Sequence, residues 1–320
     1  MIRPALRAAH PDLLGGYAAA VIAAFIWASY PVATRAGVTG SFEPTELIFL
    51  RFGVGAMLFL PYLATRFRTL HGVAWLQGVP LTLFQGAGMA TLVICGLQFA
   101  PASHAAALGP GVAPAWVVLL GCVLFSRRPS ARSVAGATLC AIGVGMFAGW
   151  SATQDSGVLV GDAMFIVASG LGALYVLQLR RWGIGAIHGA AIVTFYSALV
   201  VVPWHLWSAS DAIWRAAPSE LLWQVLWQGV LIGCIALVAL NHAIGQLGPE
   251  RASALIALVP VLSAALGSLF LGESPTRVEI VAILAISAGV GIGASRGYSG
   301  RPAVRNAAAK PVAWGLSRPG

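Results

Sequence analysis

Apolar runs of eighteen or more residues recur from about Leu13 to Gly293, separated by short stretches rich in polar residues, Pro or Gly. Runs of that length match the hydrocarbon thickness that a helix must cross in a bilayer. Reading from one polar interruption to the next predicts ten spans. They lie near residues 14–36, 45–65, 73–98, 102–125, 132–150, 158–180, 188–207, 220–246, 252–271 and 277–295. The connections are short and leave no room for a soluble catalytic domain. The expected fold class is an all-α integral membrane protein. Its first run follows Arg3 and Arg7, as a secretory signal would, but it is long enough to be read as a retained helix.

The pattern repeats. At a constant offset of 146 residues Pro114 meets Pro260, Pro129 meets Pro275, Gly143 meets Gly289 and Gly145 meets Gly291. Earlier, at an offset of 145, Gly16 meets Gly161, Tyr30 meets Tyr175 and Arg35 meets Arg180. The expected organisation is a cytoplasmic segment 1–13, a five-helix repeat over 14–150, a second over 158–295, and a disordered basic tail over 296–320. Five is odd, so the second copy enters the membrane inverted. Inverted repeats place a substrate site near the midplane and support alternating access by rocking one half against the other.

Composition narrows the class. Only 9% of residues are charged and 58% are hydrophobic, whereas soluble domains carry about 25% charged residues. The net charge of +9 comes from basic residues dispersed between spans, which excludes a nucleic-acid face. If both termini are cytoplasmic, fifteen of the nineteen Lys and Arg residues fall on that side. Arg35, Arg215 and Arg277 fall on the other, and Arg51 lies inside a span. The positive-inside rule therefore predicts this orientation in a cell (inner) membrane. Cys95, Cys122, Cys140 and Cys234 lie within apolar spans without CxxC spacing, and imply neither disulfide nor metal. No HExxH or GxSxG stretch is present, and no cofactor is expected.

Three pieces carry a resemblance: "LRF" at Leu50–Phe52, the helices of Pro114 and Pro260, and "LFLGESPTRVEIVAILAISAGVGIG" from Leu269 to Gly293. In order and spacing they resemble the ten-helix EamA branch of the drug/metabolite transporter superfamily, over residues 15 to 295. The resemblance implies a permease for small metabolites, with amino acids or related compounds as substrates and export as the direction. It also implies a built-in role for the arginine of the second helix. One departure is the Arg127 that stands where the second repeat has Glu273. A broad exporter of hydrophobic or aromatic compounds is the alternative, and a non-transporting membrane scaffold is a third reading.

Candidate chemistry starts with Arg51, about 9 Å below Thr45 at 1.5 Å per residue. A guanidinium within a span costs about 2.5–3.5 kcal/mol; snorkelling toward the outer interface and pairing with Glu43 or Glu46 are the two ways to offset it. It is read as an anchor or interhelical donor ahead of a substrate-carboxylate ligand. Corresponding Pro/Gly interruptions in two halves point to a transporter site. That makes Pro110, Gly111, Pro114 and Pro260 candidate helix-break and gating residues. Trp27, Tyr30, Gln85, His104, Trp116, Tyr175, Tyr196, Asn241 and His242 are polar or aromatic groups inside spans and form, with Arg51, the candidate lining of a mostly apolar cavity. His104 alone is read as a structural donor rather than a proton carrier. No carboxylate falls mid-span, though protons remain a candidate coupling ion. The glycines Gly143, Gly145, Gly149, Gly289, Gly291 and Gly293 are read as close-packing surfaces.

Overall fold

A computed structural model describes residues 12–66, 73–126, 129–154, 156–182, 184, 186–208, 211–247 and 249–294. The segment 1–11, the Arg127–Arg128 pair and the tail 296–320 lie outside these residues, as do the expectations made for them. Every regular element described is helical. Nine stretches among the described residues are long and apolar enough to cross a membrane.

Five elements are single helices: α1 (Leu13–Val38), α2 (Pro44–Arg66), α7 (Ala131–Ser151), α8 (Ser156–Trp182) and α9 (Ala186–Ser208). α15 (Arg277–Ala294) closes the described chain, and a four-residue helix, α10 (Ala212–Arg215), sits in a connection. α15 is not among the nine stretches, although its 18 residues reach about 27 Å at 1.5 Å per residue. The remaining predicted spans are composite, and each break has a local cause.

The third span is α3 (Val73–Gln85) and α4 (Ala87–Phe99), parted at Gly86. Ser197 of α9 enters there: a Cβ on Gly86 would lie 2.2 Å from its Oγ, which accepts the Ala87 N–H at 3.0 Å. The fourth is α5 (Ala102–Leu108) and α6 (Ala113–Phe125), parted by the turn 109–112. Ser169 of α8 donates to the Gly109 carbonyl at 2.7 Å, beside the Val112 and Ala113 N–H groups that reach the same oxygen at 3.2 Å. The ninth is likewise α13 (Pro249–Ile256) and α14 (Val259–Leu271), parted at Ala257 and Leu258. The eighth runs α11 (Pro218–Gln224), a π-helical stretch (Val225–Ile235) and α12 (Ala236–Leu247).

Pro114 and Pro260 do not kink these helices from within. Each is the second residue of the helix after a break, where the missing N–H has no intrahelical partner to lose. Pro110 is exposed in the turn and Gly111 is buried against Ile286. The two later helices also end alike, in left-handed backbone at Ser126 (φ 49°) and Gly272 (φ 68°).

α7 and α15 make the most extensive helix pair. A Cβ on Gly136 would lie 2.5 Å from the Gly289 carbonyl oxygen, and one on Gly289 would lie 2.7 Å from both the Gly136 carbonyl oxygen and Cys140 Sγ. Backbone therefore touches backbone, as small residues permit. Gly143 is equally tight against Ile286. Gly145, Gly149 and Gly291 instead face open space; three of the six glycines expected to pack are lipid-side or loose positions, and Gly136 was not among the six.

Large apolar side chains cover the outside, with Leu76, Trp207 and Trp214 more than four-fifths exposed, as a lipid-facing surface requires. Side-chain contacts gather the connections after α1, α4, α7, α9 and α14 at one end of the bundle. That end carries the charged groups described next.

Candidate functional site

The capping of α15 fixes the first of these groups. Thr276 and Glu279 form a capping box: the Thr276 N–H and hydroxyl donate to Glu279 Oε2 at 2.5 and 2.8 Å, and the Glu279 N–H points at Thr276 Oγ1 at 3.4 Å. This turns Glu279 Oε1 inward, where it meets His104 Nε2 at 2.7 Å. The other face of the imidazole, Nδ1, lies 2.8 Å from Asp162 Oδ1 on α8. Ser151, the last residue of α7, donates to Asp162 Oδ2 at 2.5 Å. Phe147 packs edge-on against the ring at 4.6 Å. His104 and Asp162 are 1% and 2% exposed, so one imidazole bridges two carboxylates deep inside the protein.

A second ion pair lies at the start of α5. Arg35, in the last turn of α1, donates its Nε to Glu273 Oε1 at 2.7 Å, and its Nη1 to the Leu97 carbonyl at 2.7 Å and to the Ala100 carbonyl. Glu273 also accepts the Ala102 N–H, at 3.1 and 3.2 Å to its two oxygens. Pro101 and the break before it leave that N–H without a helical partner, so the carboxylate completes the start of α5. Further along the same end, Ser41 donates to Glu220 at 2.8 Å, and Glu46 accepts the Ile213 N–H at 3.0 Å. Buried Gln224 and Gln228 donate to the Ala33 carbonyl at 2.7 Å and to Thr34 Oγ1 at 2.9 Å.

The candidates read from the sequence fall into separate groups. Arg51 donates to the Tyr30 hydroxyl and lies 5.0 Å from that ring and 5.7 Å from Phe52. The expectation that Glu43 or Glu46 would be its partner is corrected, because Glu46 is spent on Ile213 and on the Glu43 N–H at 3.0 Å. Trp116 and Gln85 both lie against α8, at glycines two residues apart and so on different sides of the helix: Cβ atoms added at Gly170 and Gly172 would lie 3.4 Å from the Trp116 ring and from Gln85 Oε1, while the Tyr175 hydroxyl lies 3.0 Å from a Cβ added at Gly189 of α9. The Trp116 indole N–H is buried with no partner. Tyr196 packs against Gly78 of α3. Trp27 sits among Ala24, Ala28, Ile256 and Ala236. His242 lies apart, exposed on an apolar groove between α1 and α12; the Asn241 side chain is outside the described residues. Among the described residues no His, Cys, Asp or Glu group is arranged to hold a metal ion.

Comparison with known proteins follows the same division of the chain. The model of the EamA-like transporter family matches residues 14–149 and again residues 159–292. This chain belongs to the EamA-like transporter family. The threonine/homoserine exporter RhtA of Escherichia coli (strain K12) is 30% identical to this EamA-like transporter, over 66% of the chain and 70% of the relative. Its counterpart in Salmonella typhimurium (strain LT2) is 29% identical over the same shares. A solved crystal structure aligns with a TM-score of 0.60 at 20% identity, over 90% of this chain and all of the other, which shows a common fold.

Sequence reasoning met Arg35 and Glu273 through the repeat and the charge count and joined neither to a partner. A signal was available. Four charged groups at the ends of apolar runs, with one histidine inside a span, need one another's charge more than they need lipid.

Proposed function

We propose that this EamA-like transporter exports small metabolites, amino acids or closely related compounds, across the inner membrane by alternating access. The observation that carries the reading is the seal at one end of the bundle. Arg35–Glu273, His104–Asp162 and His104–Glu279 each join a residue of the first family match to a residue of the second. Ser41–Glu220, Glu46–Ile213, Gln224–Ala33 and Gln228–Thr34 do the same. Contacts of this kind hold two halves shut on one side, and rocking must break and remake them in every cycle.

The matched breaks before α6 and α14 and their matched left-handed ends support ten spans in two inverted five-helix repeats. So does the placing of Arg35 in the last turn of α1, while its sequence mate Arg180 falls near the end of the oppositely directed α8. On the charge count the sealed end is external and both termini are cytoplasmic. The substrate class rests on the relatives' description as threonine/homoserine exporters. Gln85, Trp116, Tyr175 and Tyr196 are the proposed contacts, with the free Trp116 N–H as a donor to substrate oxygen. Arg51 is assigned to helix pairing.

A counterflow screen in proteoliposomes over the proteinogenic amino acids and homoserine tests this. Exchange of threonine or homoserine that falls at least tenfold in Trp116→Phe, which keeps an aromatic ring but lacks the N–H, is the expected result. Exchange confined to tryptophan and phenylalanine would favour the aromatic exporter instead. No exchange of any of them would overturn the reading.

A further inference from the structure

We infer that the His104–Asp162–Glu279 cluster is a proton-binding site, and that taking up one proton from the water at the sealed end releases the seal. This rests on the permease reading above and names its coupling ion. The argument is a count of hydrogen atoms. Two contacts, Nδ1 to Asp162 and Nε2 to Glu279, are of hydrogen-bond length, and each needs one hydrogen on its line. A neutral imidazole brings one hydrogen and the carboxylates bring none, so the intact cluster holds one further proton and carries a net charge of −1.

A second added proton competes with donors already in place on the carboxylates. Asp162 Oδ1 and Glu279 Oε1 face the imidazole; Asp162 Oδ2 accepts from Ser151; Glu279 Oε2 accepts from the Thr276 N–H and hydroxyl. All four carboxylate oxygens are occupied. A proton arriving on Glu279 turns its carboxylate into a carboxyl, takes the cluster to neutral and removes the charge that strengthens the contact with His104 Nε2. The weakened contact then opens. Its opening parts α5 from α15, and with them the first half from the second.

The surroundings focus the response on these groups. The elements packed around His104 bring Arg35 from α1, Asp162 from α8, Glu273 from the turn before α15, and Glu279 from α15 itself. α4, α7 and α14 bring no charged group to it among the described residues. Arg35 is neutralised by Glu273, whose oxygens also hold the Ala102 N–H two residues before His104. Releasing α5 therefore disturbs both ion pairs together. The imidazole stands between the carboxylates, so they share no common point for a metal ion, which leaves the proton as the ligand.

The test reads the seal without any substrate. Ser103 is buried beside His104 (3% exposed) and Ser274 is exposed on the turn between Glu273 and Thr276. Each becomes a single reporter, Ser103→Cys or Ser274→Cys, in full-length protein with the four native cysteines replaced. Labelling with an impermeant maleimide, as the ratio of the Ser103 to the Ser274 rate, should rise at least tenfold from pH 7.5 to pH 5.5. Asp162→Asn with Glu279→Gln should give the high ratio at both pH values. Glutamine still closes the capping box and asparagine still accepts from Ser151, so the pair is expected to fold. Glu279→Gln alone provides the same readout if the double variant does not. A ratio independent of pH in the unsubstituted cluster would overturn the inference.

A parallel arm measures L-threonine in proteoliposomes. Accumulation driven by a pH gradient should be lost in the double variant while folded, monodisperse protein is recovered in normal yield. Loss of folded yield together with accumulation would mean that the cluster only supports the fold. If the unsubstituted protein moves no threonine, the substrate reading fails, and the labelling ratio still decides the proton site.

Discussion

Arg51 of α2 donates to the hydroxyl of Tyr30 on α1, and no carboxylate neutralises it among the described residues. The neighbouring ring faces of Tyr30 and Phe52 supply the remaining stabilisation, as cation–π contacts do in poorly solvated settings. A charge that looked misplaced inside an apolar span is thus held by aromatic groups on its own and the preceding helix.

Tyr30→Phe removes the acceptor and leaves the ring. Interhelical hydrogen bonds in membranes contribute about 0.6 kcal/mol on average and up to about 1.7, so a small loss of thermal stability is expected in detergent. Arg51→Lys loses the planar fork that bonds and stacks at once and should cost more. Substrate preference should be unchanged in both. A fully stable Arg51→Leu protein that selectively stopped moving carboxylate-bearing substrates would make Arg51 a ligand instead.

Gly136→Ala and Gly289→Ala place a methyl group within 2.5–2.7 Å of helix backbone. Forcing apart a tight contact of this kind costs about 1–3 kcal/mol or more, so both should lower folded yield and melting temperature. Gly145→Ala lies on the same helix, faces open space, and gains helix propensity of about 1 kcal/mol relative to glycine. Differential scanning fluorimetry of the three proteins side by side checks the contrast.

Pro114→Ala is expected to change stability by less than about 1 kcal/mol, because the second position of a helix has no bonded N–H to restore. A large gain, with straightening of α5 into α6, would show that the proline itself makes the break. Ser169 and Gly109 would then be its consequence.

Glu273→Gln keeps an acceptor for the Ala102 N–H but leaves the Arg35 guanidinium without its countercharge. Removing one member of a buried pair costs about 3–5 kcal/mol in soluble cores. Arg35 and Glu273 are 21% and 13% exposed, so a smaller cost is expected here, together with faster labelling of a Ser103→Cys reporter at neutral pH. Unchanged labelling would mean that this pair does not hold the end shut.

Arg132 and Thr153 are exposed at opposite ends of the α7 span. On the charge count, Thr153→Cys should react with an impermeant reagent added outside whole cells and Arg132→Cys only after lysis. The reverse pattern would turn the protein over in the membrane and make the sealed end internal.

Span positions were legible because burial in lipid demands length and apolarity, which a single sequence displays openly. The breaks were half legible. Gly86 and the 109–112 turn carry glycine and proline, but the groups that stabilise them, Ser197 and Ser169, come from helices more than fifty residues away. The π-helical stretch Val225–Ile235 has no apolar period that distinguishes it from α. The partners of His104 are 58 and 175 residues distant, and those of Arg35 span both halves. No local pattern encodes such pairings; only the need of a buried charge for a countercharge hints at them, and several carboxylates could have met it. Arg51 shows how that hint misleads, since aromatic groups took the place of the expected glutamate.

The backbone contact between α7 and α15 has a mechanical consequence. Two helices whose glycines touch cannot slide or separate without losing the contact along their whole length, yet one belongs to each half of the chain. On the alternating-access proposal this pair would be the axle about which the halves turn. Ser151 and Glu279 ride on this stationary pair, at the end of α7 and the start of α15, while His104 and Asp162 ride on α5 and α8, outside it. On that proposal, opening of the sealed end would be a swing of the outer helices away from a fixed post.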